Sequence, residues 1–286
     1  MNKVSFRKKI VIGTANFTQK YGADLTQINH NETIKIFNLG KKNNIYEIDT
    51  AESYLKKNET FQNINKKFQF STKILPDKKW LSLEFCQYNL ENHFKNLNTY
   101  KIQTLFFHDT KILYSKYGLK IFKNLEVLKK NKYFKKIGLS IYDTECLNYL
   151  VSKYNFDVIQ SPYNILDKRI ITSGWLNKLK DKKIETQIRS IFLQGLLVNQ
   201  SVYKKKYFKK YHNFFLNWFM WLKKNNISPI DYCMSDLSHH NFDKIVIGIN
   251  NVKSFKEIIN FKVIKKNKMI DLKLNDINVI DPRKWK

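Results

Sequence analysis

The chain has 286 residues, 43% hydrophobic and 15% aromatic, a balance that excludes a disordered polymer and allows one large apolar core. Lys and Arg number 52 against 24 Asp and Glu, a formal charge of +28. The excess is nearly all lysine and runs the whole length, and arginine is scarce, so it reads as compositional drift rather than a base-reading surface. The three cysteines, Cys86, Cys146 and Cys233, form no CxxC pair, so neither a disulfide frame nor a metal site is expected. No apolar run of about 18 residues is present, and no stretch of signal length follows the basic start. The expected compartment is the cytoplasm, with neither membrane nor nucleic acid as partner.

In chain order, short apolar runs alternate with amphipathic stretches. KIVIGTA at 9–15 predicts a first strand, and a helix over 31–42 follows with Asn31 as its N-cap and Ile34, Ile36, Phe37 and Leu39 on its apolar face. IYEIDTA at 45–51 and FQFSTKI at 68–74 predict the second and third strands. A helix over 82–97, with a weak cap signal at Ser82, precedes IQTLFFHD at 102–109. Helices over 119–130, 144–153 and 175–180 then alternate with KKIGLSIY at 135–142, FDVIQSPYN at 156–164 and IETQIRSIF at 184–192. Two helices, near 211–224 and 228–240, fill the long gap before KIVIGIN at 244–250, and a last helix spans 252–259.

Each run is apolar on both faces, as buried parallel strands are. Eight strand–helix units at this length predict an α/β fold, one (β/α)8 TIM barrel with a parallel eight-stranded core, as a single domain over 1–286 with a tail from 262. The first strand runs on as GTANFTQKYG, so the GxGxxG fingerprint is missing, and no GxxxxGK[ST] loop occurs. The adjacent His239 and His240 would point about 100° apart on a helix, which makes poor ligands. YKKKYFKKYH at 203–212 interleaves aromatics and lysines; it reads as a solvated loop-to-helix segment ahead of a base-stacking surface.

Barrels carry their chemistry at the C-terminal ends of strands. Reading those ends gives Asp49 with Tyr54 five residues on, Lys73, and His108. A phenol titrates near 10, about three units above neutral, and a neighbouring ammonium is expected to lower it. Asp49 would hold Lys73 charged, His108 would orient a carbonyl oxygen, and Tyr54 would protonate that oxygen. Taken singly, each residue is as readily structural: an ion pair, a packed ring, a scaffold imidazole. The case rests on the order Asp, Tyr, Lys, His at consecutive strand ends, and no step needs a metal.

The string IDTAESY, STK at Ser71–Lys73 and FFHD at Phe106–Asp109 resemble the strands that carry the catalytic residues of the aldo-keto reductase family, and IGLS, IQSPYN and IGINNVKSFKE follow in that family's order. The resemblance runs from about residue 9 to about 260. It implies the catalytic set Asp49, Tyr54, Lys73 and His108 and a dinucleotide lying across the barrel mouth, with Gly13 and Thr14 beside it. Ser140 and Gln160 would hold the nicotinamide amide. A loop beginning at Arg189 and Ser190 and continuing through Gln194 and Gly195 would follow the pyrophosphate. Gly248, Asn250 and Asn251 would approach the adenosine phosphate, where a helix start suits anions, and Glu257, taken as the start of the last helix, would meet the adenine. The sequence departs from the family at Leu55 and the two lysines that follow Tyr54, at Ile141 where Asn is common, and in VKSFKE, which has no Arg. NADP is the expected cofactor, with Lys253 or Lys256 as a point charge for its phosphate, and NAD is the alternative.

The reading is thus an NAD(P)H-dependent reductase of an aldehyde or ketone, sugar-derived carbonyls included, a monomer or weak homo-oligomer. The alternative is a non-catalytic nucleotide-binding barrel that acts through a protein partner. Packing on outer helices and shaping of the substrate pocket are equal expectations for the tail.

Overall fold

The computed structural model describes residues 3–54, 61, 67–99, 102–274 and 276–285. Eight parallel strands close into a barrel in sequence order: β1 (Ile10–Gly13), β2 (Glu47–Asp49), β3 (Gln69–Ile74), β4 (Ile102–Phe107), β5 (Phe134–Ser140), β6 (Val158–Pro162), β7 (Glu185–Arg189) and β8 (Lys244–Gly248). Closure is made where β1 pairs with β8, Gly13 opposite Gly248. A Cβ on Gly13 would stand 3.2 Å from the Ile247 carbonyl oxygen and from Val246 Cγ1, so a bare backbone suits this seam. Inside the ring, a Cβ on Gly138 would run into the Phe106 ring; glycine there makes room for the phenyl.

The main returning helices are α1 (His30–Lys42), α2 (Leu83–Asn96), α3 (Gly118–Lys130), α4 (Cys146–Lys153), α5 (Trp175–Asp181), α6 (His212–Lys224), α7 (Pro229–Ser238) and α8 (Val252–Ile259). Lysines collect in the last turns of α1, α3, α4 and α5, the position the helix macrodipole favours for cations. The first helix starts earlier than expected. Asn29, not Asn31, is the N-cap, because the Asn29 side chain reaches the Glu32 N–H at 2.8 Å. Ser82 does cap α2, accepting from Phe85 N–H at 3.1 Å.

Two apolar clusters form. The larger holds the strands against the helices around them. The smaller joins α6, α7, the segment after β7 and the tail. Tyr203, Phe208 and Tyr211 are buried there while Lys204, Lys206 and Lys209 are exposed, so three of the four aromatics of 203–211 pack inward and Tyr207 is half-buried. The tail packs on this cap: Val279 and Ile280 are buried, and Trp285 meets Phe208 edge-on at 4.8 Å. It also reaches the barrel mouth, where the Arg283 guanidinium lies 3.7 Å from the Tyr142 ring centroid. No described helix is long and apolar enough to cross a membrane.

Candidate active site

One cavity opens at the C-terminal end of the barrel, lined among others by Asp49, Tyr54, Lys73 and His108. The strands explain the convergence. Asp49 ends β2, Lys73 is the next-to-last residue of β3, and His108 follows β4. The His108 N–H donates to the Ile74 carbonyl at 2.8 Å, carrying the strand pairing one residue past β4. Tyr54 closes a single helical turn, Glu52–Tyr54, just beyond β2. Its ring meets the His108 imidazole edge-on at 6.0 Å between centroids. Leu55 to Glu59, whose departure from the family pattern bears on the wall beside Tyr54, lie outside the described residues.

Lys73 and Asp49 form a buried ion pair, and the Lys73 ammonium also donates to the Thr50 carbonyl at 3.2 Å. Burial pulls the ammonium below its ordinary pKa while the Asp49 carboxylate pulls it back. The other Asp49 oxygen accepts from Gln160 Nε2 at 2.8 Å, so both ends of the carboxylate are engaged. Burial first, then the charge of Lys73, depresses the His108 imidazole to about 4. It is therefore neutral at pH 7 and can donate one N–H.

The phenol corrects one expectation. Tyr54 is pushed up from its ordinary pKa, not down, chiefly by burial, with Tyr21 and Asp49 adding and Arg189 opposing. The charge of Lys73 is engaged by Asp49, and the cation that opposes the rise is Arg189.

From these residues the cavity runs along Gly13, Thr14, Ser140, Arg189, Ser190, Gln194, Gly195, Gly248 and Asn250. Gln160 lies buried beneath that lining, and its Oε1 has no hydrogen-bond partner. Arg189 donates to the Ile141 carbonyl at 2.9 Å and to Ser190 Oγ at 3.2 Å, and stacks 4.2 Å from the Tyr142 ring centroid. Strand β7 stops there, short of the predicted residue 192, because Ser190 turns left-handed at φ 64°. Leu193 and Gln194 are left-handed too, at 46° and 51°. Such backbone costs energy and gathers at functional sites.

Besides Gln160, two more expected residues are not in the lining. Asn251 caps α8, accepting from Ser254 N–H at 2.8 Å. Glu257 is exposed in the second turn of α8, not at its start, because the helix begins at Val252. Sequence reasoning missed Tyr21, Asp24, Tyr142 and Asn199, which all line the cavity. A Tyr-Gly pair soon after the first strand was the one signal available. The loop after β1 meets the loop after β7 directly: Ala23 N–H donates to the Gln194 carbonyl at 3.2 Å, and Asp24 accepts from Asn199 at 2.9 Å and pairs with Lys205 at 3.1 Å.

A closed (β/α)8 barrel with an acid, a phenol, an amine and an imidazole at one rim defines a class of barrel able to move protons at a polar substrate. The family model of the aldo/keto reductase family matches residues 9–272, and the chain belongs to that family. No curated protein matches it. Among solved structures it is similar to the aldo-keto reductase AKR11C1 from Bacillus halodurans in a holo form, at 13% identity and TM-score 0.71, covering 91% of this chain and 89% of that one. It is also similar to the glycerol dehydrogenase AKR11B4 from Gluconobacter oxydans, at 15% identity and TM-score 0.65, covering 91% and 88%. Family membership and fold support carbonyl reduction in general.

Proposed function

We propose that this protein reduces an aldehyde or ketone with a nicotinamide dinucleotide, and that Tyr54 supplies the proton. The observation that carries the reading is one cavity shared by Asp49, Tyr54, Lys73 and His108 and prolonged toward Gly248. Its shape suits an extended dinucleotide. The orphaned Gln160 Oε1 is a ready acceptor for an amide N–H, with Ser140 close by at the end of the neighbouring β5. The backbone is left-handed at Ser190, Gln194 and Gly195, a conformation that gathers at ligand sites. A Cβ at Gly248 would meet nothing within 4 Å, so a side chain there would stand in the groove a ligand needs. Gly13, Thr14 and Asn250 complete the lining at this end, and Asn251 follows directly. The bound dinucleotide would supply a hydride to the carbonyl carbon.

The protein's own part is protonic. Burial keeps the Tyr54 phenol protonated, ready to give its proton to the carbonyl oxygen as charge develops there. The neutral His108 imidazole can donate a hydrogen bond to the same oxygen and fix its position. Lys73, paired with Asp49, would favour the developing alkoxide in a site shielded from water. The name of the Gluconobacter relative, a glycerol dehydrogenase, agrees with exchange between a hydroxyl and a carbonyl and makes sugar-derived carbonyls sensible first substrates.

The test is oxidation of NADH and NADPH over a panel of aldehydes, ketones and sugar-derived carbonyls, with Tyr54→Phe beside the wild type. We expect kcat to fall about 100-fold or more in the variant, the usual weight of a general acid, while dinucleotide binding persists. Turnover undiminished in Tyr54→Phe would remove the mechanism. Tight dinucleotide binding with no turnover on any carbonyl would favour a barrel that acts only by binding.

A further inference from the structure

We infer that the adenosine end of the groove is built for a free ribose 2′-hydroxyl, so that the protein selects NAD(H) over NADP(H), and that Glu32 sets this choice. The inference rests on the reductase reading above. Two residues beyond Asn250, which lines the groove, α8 begins, a place where backbone N–H groups would ordinarily receive a phosphate. Here the site is filled from within. Glu32 Oε1, from the first turn of α1, accepts the Val252 N–H at 2.7 Å. Asn251 Oδ1 takes the Ser254 N–H at 2.8 Å. Two of the first three donors of α8 are thus spent on side chains of this chain. The turn leading in is fixed as well, since Asn16 Nδ2 donates to the Ile249 carbonyl at 3.0 Å and to Asn250 Oδ1 at 2.9 Å.

The nearby charges do not reverse this. Lys35 approaches the other Glu32 oxygen only to 4.0 Å and is 68% exposed. Lys253 and Lys256 are exposed on α8, and no arginine fork is present in that helix to grip a phosphate from two sides. A phosphomonoester carries nearly two negative charges. Set beside the Glu32 carboxylate, it would meet like-charge repulsion and find its N–H donors taken. A hydroxyl can donate to the same carboxylate. The Asn-x-x-Glu spacing of Asn29 and Glu32 resembles a capping box, but the glutamate turns away from its own helix to cap another. This structural use supplies the selectivity.

Equilibrium titrations by quenching of tryptophan fluorescence, with no carbonyl present, test the inference. The probes are NADH and NADPH, together with 5′-ADP and 2′,5′-ADP as adenosine fragments. NADH should bind about tenfold or more tighter than NADPH in the wild type, the scale of one like-charge contact. Glu32→Gln keeps an acceptor for Val252 and removes the charge, so its Tm should hold while the NADH preference shrinks about tenfold, through tighter binding of NADPH and 2′,5′-ADP. Equal or tighter NADPH binding in the wild type, or an unchanged ratio in Glu32→Gln, overturns the inference and leaves the reductase reading standing. Binding of neither dinucleotide overturns the reductase reading itself, and this inference with it.

Discussion

Lys73 and Asp49 show why a single residue here serves both stability and chemistry. Their pair is buried, with 3% and 7% of the side chains exposed, and such pairs are costly to break by one partner alone. Lys73→Met would leave the Asp49 carboxylate without its cation, and we expect a loss of about 3–5 kcal/mol in urea unfolding. Adding Asp49→Asn should recover much of that loss, because the orphaned charge disappears too. Losses that simply add would mean the two do not act as a pair. The same pair explains the unexpected phenol. A sequence shows that an amine, an acid and a phenol will be neighbours, but not how far each is from water. Burial decides the direction at Tyr54, and burial is a property of the whole fold.

Among the elements, α2 is bound to β3 by a contact that no motif announces. His93 is buried and its Nε2 lies 2.7 Å from Thr72 Oγ1. Burial lowers its pKa to about 4. In the unfolded chain this imidazole takes a proton as pH falls below about 6.5, whereas in the fold it does so only near 4. The stabilisation is therefore complete above about pH 6.5 and is lost as pH falls toward 4, up to roughly 3 kcal/mol from this residue. Thermal melts across that window should drop more steeply for the wild type than for His93→Gln, which keeps a partner for Thr72 and cannot titrate. Parallel slopes would place the acid sensitivity elsewhere. The eight strands and the eight main returning helices were legible because a buried parallel strand and an amphipathic helix each write a period into the chain. Ends were less legible. Asn29 and Asn31 are both plausible caps on paper, and β7 stops where Ser190 adopts a left-handed turn, which side-chain chemistry alone does not foretell. The contacts between the loops after β1 and β7 depend on chain separated by more than 170 residues and left no local pattern.

For the molecule as a whole, the charge of +28 sets a field that any anionic dinucleotide meets before it touches the groove. Its association rate, followed by stopped-flow, should fall several-fold as salt rises from about 20 to about 500 mM, because the screening length shrinks. A neutral carbonyl ligand should show no such slope, and a flat profile for the dinucleotide would mean that the lysines do not steer it.

The order of strands round the ring has a last consequence. The side chains proposed to handle protons stand on or just after β2, β3 and β4, and the groove proposed for the dinucleotide is walled by β5, β7, β8 and β1. Donor of electrons and donor of protons thus occupy opposite arcs of one circle, touching through Gln160 and Asp49. Evolution can retune the carrier on one arc while the other keeps its acid intact, and a change of coenzyme need not disturb the chemistry it feeds.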